Sequence, residues 1–155
     1  MPVATLKAFL DANGVPYETV VHDRTFTAQQ TAESTHIPGS HLAKTVMVKL
    51  DGKMAMAVVP GPEHVVLDRL AGHLGVETAE LATEAEFGQL FPGCDLGAMP
   101  PFGNLWGIDV FVSPAVAAQS EIAFNAGTHT ELIKLAYADF ERLVGPVEMA
   151  LSGRD

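Results

Sequence analysis

The sequence has little cysteine, little positive charge and no long apolar segment, and each shortage excludes a class of protein. The single cysteine, Cys94, leaves no internal disulfide, and no cluster of cysteine and histidine has the spacing of a zinc site. No apolar run approaches the roughly 20 residues that a membrane helix needs. The first residues lack the basic and then apolar composition of a secretory signal. We therefore expect a cytoplasmic protein with no metal site and no membrane partner.

Positive charge is scarce, because nine lysines and arginines stand against nineteen aspartates and glutamates, for a formal net charge of −10. Without a basic run, broad contact with a phosphate backbone is not expected, and DNA is excluded as a partner on this ground. A nucleic-acid substrate would be held over a small part of its length. An acidic enzyme for a small molecule has the same composition, so charge alone does not choose between the two.

The chain of 155 residues fits one compact domain, taken here as 1–155. Helical spacing of apolar residues predicts a helix over Val3–Asn13, and a strand follows up to His22. Thr27 and Gln30 form the Thr-x-x-Gln pattern of a capping box, which predicts the start of a second helix.

The clearest local signal is a β-hairpin between Lys44 and Pro60. Its two apolar stretches are separated by Asp51-Gly52, the preferred composition of a two-residue turn. Such a hairpin favours a mixed or largely antiparallel sheet in an α+β domain. The other predicted elements are helices over Val65–Gly75, from Thr83 to about Leu90 and over Ala138–Val144, strands over Leu105–Val112, Glu121–Asn125 and Thr130–Ala136, an irregular loop over Phe91–Gly107, and a frayed C-terminus.

The sequence lacks the common motifs of catalytic and cofactor sites. There is no glycine-rich phosphate loop, no His-Glu-x-x-His of zinc proteases and no Gly-x-Ser-x-Gly of serine hydrolases. The six histidines are scattered, and a lone histidine is most often a surface or core residue. Cys94 is followed by Asp95, whose charge raises rather than lowers the pKa of a thiol. The pattern therefore offers no covalent nucleophile.

Three features remain as candidates. Lys44 opens an apolar strand after a polar stretch, so its ammonium could point into a cleft, although a lysine that snorkels at a strand end is an equally good interpretation. The segment Gly97-Ala98-Met99-Pro100-Pro101-Phe102-Gly103 could present backbone N–H groups to a carbonyl oxygen, although a rigid connector is the commoner case. The turn Asn125-Ala126-Gly127 could be a plain hairpin.

In this order and spacing the features resemble the YbaK/prolyl-tRNA synthetase editing-domain family. The likeness covers about residues 1–146 and is carried by the N-terminal helix and strand, the Thr27 segment, Leu42-Ala43-Lys44-Thr45-Val46, Gly97 to Gly103, and Asn125-Ala126-Gly127. It implies a twisted mixed, largely antiparallel sheet flanked by helices. It also implies an aminoacyl-tRNA deacylase, which hydrolyses the ester between an amino acid and the 3′-terminal adenosine of tRNA without a metal or an organic cofactor.

The resemblance further implies roles for individual residues. Lys44 would hold the terminal nucleotide and orient the ester, and Gly97 to Pro101 would contact the scissile carbonyl. The implied substrate-binding positions are His22, Thr27, Ala98, Met99, Phe102, Gly103, Gly127 and His129. An ester is already activated, so positioning and electrostatic stabilisation can replace a strong nucleophile.

The implied partner is the aminoacylated 3′ end of tRNA, such as tRNA-Pro carrying alanine, cysteine, serine or threonine, with a synthetase as a second partner. A small difference in side-chain size is worth only ~1–3 kcal/mol in an apolar pocket, so the sequence does not rank these four amino acids. Two other interpretations stay open. One is a non-catalytic module that binds an aminoacyl-tRNA or a nucleotide, and the other is a metal-free hydrolase for another small ester.

Overall fold

The computed structural model describes residues 2–23, 28–91, 94–95 and 97–153. The predicted capping residue Thr27 lies outside the described residues. The helices are α1 (Pro2–Ala12), α2 (Ala28–Thr35), α3 (Leu67–Leu74), α4 (Glu84–Phe87), α5 (Pro114–Ala117) and α6 (Tyr137–Val144), with short 3-10 helices at Gly39–His41 and Gly103–Trp106. The strands are β1 (Glu18–Val21), β2 (Ala43–Leu50), β3 (Lys53–Pro60), β4 (His64–Val65), β5 (Ala79–Leu81), β6 (Asp109–Val112), β7 (Glu121–Asn125), β8 (Glu131–Ala136), β9 (Val147–Glu148) and β10 (Ser152–Gly153).

The described strands form three sheets. The largest has the order β5-β2-β3-β6-β9, in which β2 is antiparallel to β3 and β5 while β6 is parallel to β3 and β9. A second, antiparallel sheet has the order β1-β8-β7, and β4 pairs with β10. The predicted α+β class, with a mixed and largely antiparallel sheet flanked by helices, is confirmed.

The hairpin forms where it is predicted. β2 and β3 pair from Ala43 opposite Pro60 to Leu50 opposite Lys53. Asp51 and Gly52 have φ angles of 50° and 82°, and a type I′ turn needs positive φ at both of its central residues. The primed turn matches the right-handed twist of the strands, so the Asp-Gly pair fixes the register of the hairpin.

Two apolar cores lie on opposite faces of the five-stranded sheet, because successive side chains of a strand point to opposite faces. Met47 belongs to the larger core, with Leu6 and Leu10 of α1. Val48 belongs to the other core, with Leu70 of α3. None of the described helices is long and apolar enough to cross a membrane.

Two sequence-based predictions are wrong, one about the C-terminal residues and one about where a strand begins. Residues 147–153, the last that the structure describes, do not fray, because β9 pairs with β6, β10 pairs with β4, and Leu151 is fully buried. The strand predicted over Leu105–Val112 begins only at Asp109, since residues 103–106 form a 3-10 helix that ends at Gly107 with φ of 69°.

Gly103 has no room for a side chain. A Cβ atom there would lie 2.5 Å from the carbonyl oxygen of Ile108 and 2.8 Å from a methyl of Val110. We expect Gly103→Ala to lower the free energy of unfolding, measured by urea denaturation, by ~1–3 kcal/mol through overpacking. The control is Gly72→Ala in α3, where a Cβ meets nothing within 4 Å and helix propensity favours alanine. Equal losses in the two variants would contradict the steric argument.

Candidate functional site

The two larger sheets meet where β2 begins. A parallel bridge joins Leu42 to Ala123 of β7, and beyond it the described residues show no further pairing between these strands. On the edge of β2 that faces away from β3, pairing with β5 starts only at Val48. The edge of β2 over residues 44–46 is therefore not paired to a strand among the described residues, and we call this gap in the pairing between β7 and β5 the opening.

Two buried polar atoms close to this opening have no hydrogen-bond partner in the described part of the chain. Thr45 Oγ1 lies on β2 three residues after the bridge, and Asn125 Oδ1 lies on β7 two residues after it. A buried polar atom without a partner costs about 1–3 kcal/mol, so natural structures keep few of them. Both residues stand in the sequence motifs, but only their burial without partners marks them as candidates to contact a polar ligand.

The proline-containing loop and the Asn-Ala-Gly turn are joined to each other. The N–H of Asp95 donates to the Gly127 carbonyl at 2.8 Å, and the N–H of Gly127 donates to the Ala98 carbonyl at 2.9 Å. The N–H of His129 donates to Asp95 Oδ2 at 3.2 Å. These bonds bring four of the predicted positions, Gly97, Ala98, Gly127 and His129, into one group, which follows β7 beyond the opening.

Gly97 is required in this group by its conformation. Its φ is 82°, and a Cβ there would meet the His129 ring at 3.7 Å. In the segment from Gly97 to Pro101 the prolines carry no N–H, and the N–H of Ala98 donates to the Asp95 carbonyl at 3.0 Å. The N–H groups of Gly97 and Met99 have no acceptor among the described residues, so they are the two that a ligand could use.

His22 reaches the same turn from β1. Its backbone N–H donates to the Thr130 carbonyl at 2.9 Å, as a continuation of the pairing between β1 and β8. The ring Nδ1 lies 2.7 Å from the Asp23 carbonyl oxygen, while Nε2 is buried and has no partner among the residues that the structure describes. His22 therefore lies next to the turn that carries His129.

Six of the predicted positions are buried: Ala98, Met99, Pro101, Phe102, Gly103 and Gly127. The ring of Phe102 is 0% exposed and contacts the rings of Phe9, Phe124 and Phe140, with centroids 6.3, 5.4 and 5.5 Å away. Phe102 is thus enclosed by the larger core and offers no surface to a ligand in this structure.

Lys44 differs from the other lysines in its partners. The structure describes all five lysines, and four of them contact a carboxylate: Lys7 with Glu131, Lys49 with Glu86, Lys53 with Asp109 and Lys134 with Glu18. Lys44 Nζ donates instead to the carbonyl oxygens of Glu63 at 2.8 Å and of Gly61 at 3.3 Å. Partial burial lowers the pKa of Lys44, because removal from water disfavours the charged form.

An amine whose charge is neutralised by no carboxylate within the described ranges fits an anionic ligand. Side chains alternate along β2, so Lys44 lies on the same face of the strand as Val48. Thr45 lies on the other face, together with Met47 and the core that contains Met99. Lys44 makes no described contact with the group around Gly97. A ligand that reached both would have to extend across the edge of β2 at the opening.

Cys94 is not activated as a nucleophile. Burial, and secondarily the charge of Asp95, raises the pKa of Cys94 to about 11, so the thiol stays protonated near neutral pH. Among the described residues, no group of three or more histidine, cysteine, aspartate or glutamate side chains is arranged to hold a metal ion.

The fold and the sequence identify the class of protein. Residues 22–143 match the family model of the aminoacyl-tRNA editing domain. A solved structure of a candidate trans-editing enzyme for prolyl tRNA synthetase superposes with a TM-score of 0.83 at 18% identity, covering 98% of this chain and 97% of that chain. The crystal structure of a hypothetical protein superposes with a TM-score of 0.85 at 19% identity, covering 96% of this chain and 99% of that chain. The chain belongs to the aminoacyl-tRNA editing domain family.

Two curated relatives indicate where in this family the chain lies. It is 30% identical over 146 residues to the multifunctional Ser/Thr-tRNA deacylase ProXp-y of Escherichia coli K12. This alignment covers 91% of this chain and 87% of the relative. It is 31% identical over 137 residues to a proline–tRNA ligase of Streptomyces coelicolor, covering 85% of this chain but 24% of the ligase. The predicted family and the predicted class of enzyme, an aminoacyl-tRNA deacylase, are confirmed.

Proposed function

We propose that the chain acts as one free-standing domain that hydrolyses the ester of mischarged tRNA in the cytoplasm, with seryl- and threonyl-tRNA as its best substrates. The observation that carries the proposal is Lys44, whose amine has no carboxylate partner among the described residues and whose backbone borders the opening near the buried, partnerless polar atoms of Thr45 and Asn125. The likeness to a Ser/Thr-tRNA deacylase supports serine and threonine over alanine and cysteine.

Lys44 would bind the 3′-terminal nucleotide. A lysine ammonium is a compact point charge suited to a phosphate, and the two backbone carbonyls that now accept from it are neutral. With a net charge of −10, the protein would touch little of the tRNA beyond its aminoacylated tip. A synthetase is then the partner that we propose for supplying tRNA identity.

The chemistry would be direct attack by water. The water oxygen adds to the carbonyl carbon of the ester, and the bond between this carbon and the ribose oxygen breaks. A neighbouring ribose hydroxyl passes a proton from the water to the ribose oxygen that leaves. The N–H groups of Gly97 and Met99 would stabilise the oxyanion, and one such donor is typically worth ~10²–10³ in rate. His22 and His129 would line the amino-acid pocket beside Gly127.

A panel of mischarged tRNAs tests the substrate. We expect serine and threonine to be released at least about tenfold faster than alanine and cysteine, which is within the range that pocket contacts can supply. Prolyl-tRNA serves as the correctly charged control and should stay intact. Release of none of the four amino acids would favour the non-catalytic binding module, and turnover of a small ester alone would favour the other hydrolase.

A further inference from the structure

Glu63 holds Lys44 with its backbone while its carboxylate points elsewhere. The Glu63 carbonyl oxygen accepts from Lys44 Nζ at 2.8 Å, whereas Glu63 Oε1 accepts from the hydroxyl of Ser152 at 2.7 Å. Rotation about the side-chain bonds of Glu63 would bring this carboxylate to the amine, because the two groups already belong to contacting residues. The carboxylate of this loop therefore binds Ser152 and not Lys44.

A chain of hydrogen bonds orients the hydroxyl that holds the carboxylate. Ser152 Oγ lies 3.0 Å from Ser113 Oγ, and Ser113 Oγ accepts from the N–H of Ala115 at 3.3 Å. Ser152 Oγ has one proton for these two acceptors, and the Glu63 carboxylate is both the charged and the closer one, so the proton goes to Glu63. Ser113 is only 3% exposed, which protects this end of the chain from water.

The backbone around Ser152 is fixed by its neighbours. Ser152 lies opposite Val65 in the pairing of β10 with β4, and its carbonyl accepts from Arg69 Nη1 at 2.9 Å. The carbonyl of the buried Leu151 accepts from the N–H of Val66 at 2.7 Å. This C-terminal strand lies outside residues 22–143, the part of the chain that matches the family model.

We propose that Ser152 is a positioning residue of the deacylase: it holds the Glu63 carboxylate away from Lys44 and so keeps the amine available to the phosphate of the tRNA 3′ end. The proposal rests on the proposed function of Lys44. Without the Ser152 hydroxyl, the Glu63 carboxylate loses its donor and turns to Lys44, where it competes with the substrate.

Steady-state kinetics of three variants, with seryl-tRNA as the substrate, test whether the Glu63 carboxylate competes with the substrate for Lys44. We expect Ser152→Ala to raise KM about tenfold with a smaller change in kcat, because binding of the anion is lost. Ser152→Thr keeps the hydroxyl and should keep KM. In the double variant Ser152→Ala/Glu63→Gln, KM should return close to that of the wild type, since glutamine cannot neutralise the amine. A purely structural role for Ser152 would leave the double variant as impaired as the single one and would overturn the proposal.

Crystal structures of the variants give a result that needs no substrate. In Ser152→Ala the Glu63 carboxylate should lie within ion-pair distance of Lys44 Nζ, about 4 Å or less. A carboxylate that stays away from the amine, or a wild-type KM in Ser152→Ala, would refute the role of Ser152. Failure of the wild-type protein to deacylate seryl- or threonyl-tRNA would instead refute the proposed function and leave the crystallographic result standing.

Discussion

Replacing Lys44 by alanine should lower kcat/KM for seryl-tRNA deacylation by on the order of 100-fold or more, which corresponds to the loss of one partner of a desolvated charge pair. The reason is that Lys44, alone among the five lysines, has no carboxylate partner among the described residues, so a substrate phosphate has none of these to displace. The fold should persist, because the acceptors left behind are backbone carbonyls of a partly exposed loop. Steady-state kinetics and a thermal unfolding scan measure the two effects.

Lys53 supplies the matched control for this substitution. Its side chain is 71% exposed and pairs with Asp109 at 3.3 Å on the opposite end of the hairpin, so Lys53→Ala removes the same charge far from the opening. A surface ion pair of this kind contributes little, and we expect neither activity nor stability to change measurably. Full activity of Lys44→Ala, or an equal loss in Lys53→Ala, would show that Lys44 is a snorkelling lysine.

The sequence predicts those parts of the fold that depend on neighbouring residues. Asp51-Gly52 selects its turn locally, and Thr83 forms the complete capping box with Glu86 that starts α4. The strands β9 and β10 have two residues each, which is too short for any periodicity, and they exist because distant strands pair with them. Their formation could be found only from the tertiary structure.

The same limit applies to the candidate site. Gly97 and Gly127 belong to motifs that the sequence analysis assigns to one site, and the structure places them together. Both have a positive φ, which favours glycine. The sequence singles out Lys44 by its position at the start of an apolar strand, but it does not show what this lysine contacts. Only the folded chain shows that Lys49 of the same strand meets Glu86 while Lys44 meets carbonyls. Nothing in the spacing links Ser152 to Glu63, which are 89 residues apart.

Phe102→Ala should give the largest loss of stability among the substitutions considered, about 3–5 kcal/mol in the free energy of unfolding. The ring is fully buried and contacts three other aromatic rings, so its removal leaves a cavity in the larger core. A domain of this size is typically stable by only about 5–15 kcal/mol, so the variant is expected to be marginal. Urea denaturation at equilibrium measures the difference.

Phe102→Leu separates this structural role from the substrate-binding role that the motif implies. Leucine stays apolar and fills part of the space, so we expect a smaller loss of stability together with an unchanged KM for seryl-tRNA, measured where the variant is fully folded. A raised KM with unaltered unfolding would show that the ring lines the amino-acid pocket. In that case the loop from Gly97 to Gly103 must open on binding, because Phe102 reaches no surface while it packs against Phe124.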